Sequence, residues 1–380
     1  MRLPRIAACL GLAVTFGAAS AVAWAASSTA ASARPSTASA APTLTIYLAP
    51  SNKGGSDKHT GLSSKSPILT LAEAQKILGA KDPKGNVIIR IDQGTYVAAQ
   101  TNWSFYVPGH TVAFMPANYV VGHGRPAGGD PVFVDSGSGA HHTAGWWLDA
   151  TRPSAASSPL HDGGNAGLQF YYLQIEDYTN GISLDGHASI NSAGWWYQTG
   201  KGLNDNYVSG MTFNDIGNAY AGGQIGYAAI LLTNSSHNTI TNNTFQDIYN
   251  ISANASQVHG LYVTHFSSSN SITKNKFEDL GAEAVKIRDR SNDNTVNDNR
   301  FYSISGVSAY LDEFCDATCI AENPGTGRQC ASYDNHFDGN LIDGAAAYTD
   351  LIPSGETNAG GGICSIPKGI DRLYASGNSS

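Results

Sequence analysis

An eight-residue phrase recurs five times in the second half of the chain, and it limits the fold more than any other feature. It reads NYVSGMTF over 206–213, NTITNNTF over 238–245, NSITKNKF over 270–277, NTVNDNRF over 294–301 and NHFDGNLI over 335–342. Successive copies are 32, 32, 24 and 41 residues apart. A supersecondary unit whose spacing changes only through inserted loops is the mark of a solenoid. Polar and apolar residues alternate within each copy behind a leading Asn, so each copy reads as a strand. Stacked coils of such strands predict an all-β chain, a single-stranded right-handed parallel β-helix. Its long faces offer a groove lined by outward side chains.

The totals agree. Charged residues make up 14% of the chain and Gly contributes 42 of its 380 residues. This is the balance of a turn-rich, all-β extracellular protein rather than a cytosolic enzyme. The length alone would allow two domains, but the repeats argue for one elongated body.

The amino terminus carries Arg2 and Arg5, an apolar run from Ile6 to Val22, and then Ala23, Trp24 and Ala25. A basic start, a hydrophobic stretch and a small-residue site predict a secretory signal peptide over 1–25. An Ala/Ser/Thr linker is expected over 26–42 and the β-helix domain over 43–380. The expected product is secreted and extracellular, without a membrane partner after cleavage, and monomeric. Removing Arg2 and Arg5 would take the formal charge from −8 to −10. Such an acidic surface argues against nucleic acid as a partner. A polyanionic substrate would need a local basic patch working against the global field.

Cys9 falls in the signal segment, which leaves Cys315, Cys319, Cys330 and Cys364. An even set in an exported protein reads as two disulfides, with three connectivities open. Their clustering points to staples on the insertion between the fourth and fifth copies. The sequons at 234–236, 242–244 and 254–256 are read as turn residues.

The body opens on the alternating strand 43–48, followed by the loop 51–57 and the segment from Ser66 to Leu78. Thr70 with Glu73 forms a capping box ahead of a short helical run. Strand, Gly/Asp/Ser loop, Pro67-led segment and helix together resemble the opening of secreted right-handed β-helix carbohydrate-active proteins. In that family this helix plugs the open end of the coil. Val87–Ile91 and then residues 92–96 look like the first coil, 103–166 like early coils with large loops, and 168–175 like a loose copy of the repeat.

Aligning the last Phe of each copy predicts a stacking register for the strands that follow. Val285 lies eight residues after Phe277, and Ala309 eight after Phe301. Side chains alternate across a strand, so Leu261/Val263, Val285/Ile287 and Ala309/Leu311 are expected to point inward. Tyr262, Lys286 and Tyr310 then form one outward column, and Thr264, Arg288 and Asp312 a second. Neighbouring rungs sit about 4.8 Å apart, within side-chain reach.

Eliminative cleavage of a uronate polymer needs three functions: neutralisation of the carboxylate, removal of the C5 proton, and an acid for the leaving oxygen. Arg288 suits the first as a fork for a carboxylate. Lys286 is the expected base, Tyr262 or Tyr310 the proton donor, and His259 the other proton-transfer candidate. Tyr310, Thr264, Asp312 and Arg290 are expected to contact the substrate, an acidic polysaccharide. The pairing of Lys286 with Tyr262 resembles the chemistry of small bacterial β-helix lyases acting on alginate or glucuronan. That resemblance implies a polysaccharide lyase.

Other chemistries stay open. Asp312 with Glu313 or Asp289, or Glu283, would serve a glycoside hydrolase. An epimerase would share the proton abstraction alone, and a glycan-binding adhesin would need neither. The signatures of pectate lyases and the paired-Asp pattern of polygalacturonases are missing. Ca2+ stays open as a neutraliser of uronate, but no dense Asp cluster of the calcium-loop type occurs, and no metal or other cofactor is predicted. The aligned Asn206, Asn238, Asn270, Asn294 and Asn335 read as a structural ladder.

Overall fold

The structure, a computed structural model, describes residues 43–135, 145–158, 160–221, 224–304, 307–323, 325–353 and 362–380. The signal segment and linker expected over 1–42 lie outside the described residues. Among the described residues, three sheets of ten, eight and eight strands run the length of the body. Every ladder within these three sheets is parallel. Each complete coil contributes one strand to each sheet, as with Ser271–Thr273, Lys276–Leu280 and Val285–Arg288, and Leu44–Leu48 and Leu373–Ser376 add one strand at either end of the first. This is a right-handed parallel β-helix.

The repeated phrase covers two strands and the corner between them, not one strand. Thr239–Thr241 belongs to the first sheet and Thr244–Ile248 to the second. The fifth residue of each copy makes the bend in left-handed backbone: Gly210, Asn242, Lys274, Asp298 and Gly339 have φ of 70, 57, 58, 57 and 65°. Gly, Asn and Asp tolerate this region, which explains four of the five choices.

Two Asn ladders flank the first strand of the phrase, one at its start and one at the corner. In the expected one, each side-chain amide donates to the next Oδ1, from Asn206 to Asn238 at 2.9 Å and on to Asn335 at 3.1 Å. A second ladder links Asn243, Asn275, Asn299, Asn340 and Asn378 at 3.0–3.2 Å. Between them the closing Phe rings stack in the core. Phe213, Phe245, Phe277 and Phe301 lie 5.2, 4.7 and 4.9 Å apart with interplanar angles of 6°. Buried amides are thereby paired and apolar rings shielded by the same repeat.

The expected plug is present. The helix Leu71–Lys81 starts at Thr70, whose Oγ1 accepts from Glu73 N at 3.1 Å, and Leu71, Ala74 and Leu78 join the core. Asp57, in the preceding loop, accepts from Leu69 N, Thr70 N and Thr70 Oγ1. Among the described residues of 103–166, Val112–Pro116, Val132–Asp135 and Trp146–Thr151 give one strand of a coil to each sheet.

The third sheet corrects one expected register. Leu261 pairs with Val285 as anticipated, but Val285 pairs with Tyr310, not Ala309. The link from Phe301 into this strand is one residue longer than the link from Phe277, and a slip of one flips every side chain. Tyr310 and Asp312 therefore face the interior, each 0% exposed, and Leu311 and Glu313 face outward. Inside, Asp312 Oδ1 accepts from Arg372 Nη2 at 2.9 Å. Burial pushes the Asp312 carboxyl up to about 7, although the guanidinium opposes it.

The disulfides are Cys315–Cys319 and Cys330–Cys364. The first closes a single turn around the helix Ala317–Glu322, and the second ties the insertion to the segment after Ala347–Ile352. The staples thus join two consecutive loops rather than the insertion alone.

Candidate functional site

The outward face of the third sheet gathers the charged side chains. His259–Thr264, Val285–Arg288 and Ser308–Glu313 are adjacent rungs, and Tyr262, Lys286 and Leu311 stand in one column. Arg288 and Glu313 are paired in the neighbouring column. Alternation fixes this arrangement, because Val285 and Ile287 fill the core and leave Lys286 and Arg288 nowhere to go but out.

Four groups converge there. Lys286 Nζ and Arg288 Nη1 each lie 2.9 Å from Glu313 Oε1. Arg288 Nη1 also donates to Tyr262 Oη at 3.5 Å, and Lys286 Nζ sits 5.5 Å from the centre of the Tyr262 ring. The Lys286, Arg288 and Glu313 side chains are only 12, 19 and 22% exposed, so they are ordered and partly dry before any ligand arrives. Burial works against the charge on Glu313, but Lys286 and then Arg288 outweigh it and hold this carboxyl below its ordinary value.

The ion pair changes the expected part of Lys286. An ammonium that donates to a carboxylate has no lone pair to take up a proton. It can hold an anion or give a proton to a departing oxygen, and the phenol beside it is left as the group to accept one.

Glu283 is the second carboxyl of the site. Burial raises it above its ordinary value, Lys286 opposes this, and Glu313 and Asp350 add to it. The two glutamates thus have environments that push their protons in opposite directions.

The other expected residues are placed as follows. His259 is 1% exposed, and its Nδ1 lies 3.1 Å from Glu283 O. Burial, with the Lys286 charge adding to it, holds the imidazole well below its ordinary value, so it is neutral at neutral pH. Its ring packs edge-on to Tyr262 at 5.5 Å, which makes it a support behind the phenol and not a group in the groove. Thr264 is 3% exposed and also lies beneath the surface. Arg290 is turned away: Nε holds Asp289 Oδ1 at 2.9 Å, Nη2 donates to Trp196 O at 2.9 Å, and the guanidinium covers Phe266. Asp289 is fully buried against His265 and Arg290. Tyr310 and Asp312 share the inward register of Val285 and Ile287 and do not line the groove.

Gln329 was not singled out by the sequence. It is 4% exposed, and its Oε1 accepts from Arg288 Nε at 2.6 Å and from Cys315 N at 2.9 Å. It stands beside Cys330, so the disulfide-bearing loop reaches back to aim the guanidinium. A hairpin of Ala188–Ile190 and Trp196–Gln198 runs beside the same sheet. Trp196 stacks on His265 at 3.9 Å and Trp195 bridges to Arg328, so the hairpin is a rail along one edge of the groove.

No protein-family model matches the chain, and no curated protein matches it. Among solved structures it is similar to an alpha-1,3-glucanase catalytic domain in complex with nigerose, at 14% identity and a TM-score of 0.47. That likeness covers 81% of this chain and 43% of the other, so this chain spans less than half the glucanase chain's length. It is also similar to the alginate lyase from Paenibacillus sp. str. FPU-7, at 13% identity and a TM-score of 0.46, over 89% of this chain and 94% of that one. A periplasmic alginate epimerase is similar at 10% identity and a TM-score of 0.24, over 71% and 56%.

Proposed function

We propose that the chain is a secreted carbohydrate-active enzyme, a polysaccharide lyase that cleaves a uronate-containing polysaccharide by β-elimination. The observation that carries this reading is the meeting of Arg288, Lys286 and Tyr262 on one outward ridge of a long sheet. A uronate carboxylate takes up the Arg288 and Lys286 donors in competition with Glu313. This draws charge from C5 and makes its hydrogen acidic. Tyr262 Oη, in its ionised form, takes the C5 proton. The electron pair of the C5–H bond becomes the C4–C5 double bond, the C4–O bond breaks, and Lys286 Nζ protonates the departing oxygen. His259 and Gln329 hold the phenol and the guanidinium from behind. The two disulfides support an oxidising, extracellular destination.

A second reading, hydrolysis, is favoured by one observation: Glu283 is raised and Glu313 lowered beside the same lysine. Paired carboxyls with opposed proton affinities suit a general acid and its partner carboxylate. Digestion of alginate, glucuronan, pectate and glycosaminoglycans separates the two. Elimination leaves unsaturated ends that absorb in the ultraviolet, whereas hydrolysis gives new reducing ends without that absorbance. No product of either kind from any polymer would leave glycan binding alone.

A further inference from the structure

The fifth and seventh residues of the repeated phrase carry charge in only two copies, and those two are neighbours. At the fifth, the left-handed corner, the copies hold Gly210, Asn242, Lys274, Asp298 and Gly339. At the seventh, where the second-sheet strand begins, Thr212, Thr244, Lys276, Arg300 and Leu341 stack in one column. The coil therefore closes as well on Asn and Thr at these places, and packing asks for none of the three cations. Lys274 even adopts a left-handed φ of 58°, which a long side chain takes up less readily than Gly or Asn. A residue held there against its backbone preference points to a use for its charge.

Lys274, Lys276 and Arg300 line a shallow depression of about 360 Å³ at this corner, together with Asn242, Asn275 and Asp298. Lys274 and Arg300 are exposed, and neither holds a carboxylate among the described residues. Lys276 pairs with Glu278, and its Nζ lies 5.9 Å from the centre of the Tyr302 ring. Tyr302 follows Arg300 on the same outward side of the strand. Three cations against two carboxylates, Asp298 and Glu278, leave a local charge of +1 on a chain of −8. Lys276 and Arg300 stand on adjacent rungs, about 4.8 Å apart, so their charges repel until an anion comes between them.

We propose that this corner is a second glycan site, which binds an acidic sugar of the polymer away from the groove. The sugar carboxylate takes the Lys274 and Arg300 donors, and the ring lies beside Tyr302, a pairing of charge and aromatic surface that suits an acidic sugar. Lys274 and Lys276 share a coil with Lys286 and Arg288, but the groove is on the third sheet and the depression on the edge of the second. A polymer held at the corner thus raises the concentration of chain near the groove without filling it. The site adds to affinity for long polymers and not to turnover. It rests on the acidic-polymer reading given above.

Affinity electrophoresis of the whole protein at low salt, in gels carrying alginate, hyaluronan or neutral dextran, tests it. Alginate and hyaluronan are expected to retard the protein and dextran to leave it unretarded. The neighbouring copies supply the substitutions: Lys274→Asn reproduces Asn242, and Lys276→Thr and Arg300→Thr reproduce Thr244. The triple variant should need about fivefold more alginate for the same retardation, as the loss of exposed charge contacts implies. Asp298→Asn, which also suits a left-handed corner, removes an opposing carboxylate and should need about half as much alginate as the parent. That gain is not one misfolding can produce, so Asp298→Asn decides alone if the triple variant fails to fold. Both shifts should fade as salt is raised. A triple variant retarded like the parent, an Asp298→Asn variant retarded no more than the parent, equal retardation by dextran, or no retardation at all overturns the site. Absorbing ends from alginate beside unchanged retardation of both variants would sink the site and leave elimination standing. Retardation that follows these charges, without absorbing ends from any polymer, would keep the site and remove the lyase.

Discussion

Gln329 Oε1 accepts from Arg288 Nε at 2.6 Å, which ties the guanidinium of the groove to a loop 41 residues further along the chain. Arg288 alone on a strand would have several rotamers open to it. Gln329, anchored by Cys315 N and the adjoining Cys330, selects one. Replacing Gln329 by Leu leaves a largely buried guanidinium N–H and the Cys315 amide without an acceptor, at about 1–3 kcal/mol each. Turnover is expected to fall about tenfold or more, because aim matters most in the transition state. A variant with unchanged kcat would show that Arg288 needs no such support.

Tyr262→Phe removes only the oxygen, and Lys286→Ala removes the ammonium. Each should lower kcat by roughly 10²–10⁴, the range for lost proton transfer by a positioned group. Asp312→Asn should leave kcat within about twofold, because that side chain lies inside the coil. Steady-state rates on one cleaved polymer compare the three. A collapse of activity in Asp312→Asn with stability intact would restore the hydrolytic role first considered for this residue.

Stability should depend on Asp312 through its proton. The folded value is about 7, against 3.8 for the free side chain. The native chain therefore keeps a proton that the unfolded chain releases. Its stabilising contribution is complete below the unfolded value and is lost as pH rises through about 7. Denaturation midpoints across that interval should decline more steeply for the parent than for Asp312→Asn. Parallel pH profiles in the two proteins would contradict the assignment.

The Asn ladder should behave as a connected set. Asn270 accepts from Asn238 Nδ2 at 2.8 Å and donates to Asn294 Oδ1 at 2.9 Å, with no exposure to solvent. Asn270→Ala leaves the Asn238 backbone N–H and one hydrogen of its Nδ2 without an acceptor and should destabilise the protein by about 2–3 kcal/mol. Phe277→Ala, in the adjoining stack, should cost about 3–5 kcal/mol through the cavity it opens. Urea unfolding of each variant measures both, and a ladder mutant as stable as the parent would make the amides dispensable.

The coils were legible because their signal is local and repeated. The leading Asn and the alternation behind it recur in all five copies, and a closing Phe in four of them. Alternation alone put Lys286 and Arg288 outside, since Val285 and Ile287 fill the core. The bend inside the phrase was hidden because Asn, Lys and Asp at that position read as ordinary polar strand residues.

Sequence by itself determined the parallel coil, the capping helix and the outward side of the Val285–Arg288 strand, since each follows from periodicity within a few residues. Only the tertiary structure decided that Tyr310 and Asp312 point inward, that Glu313 bridges the two cations and that Gln329 reaches Arg288. One extra residue in a loop reverses strand parity, and no local pattern reports it. Contacts 24 or 41 residues apart exist only once the coils have stacked.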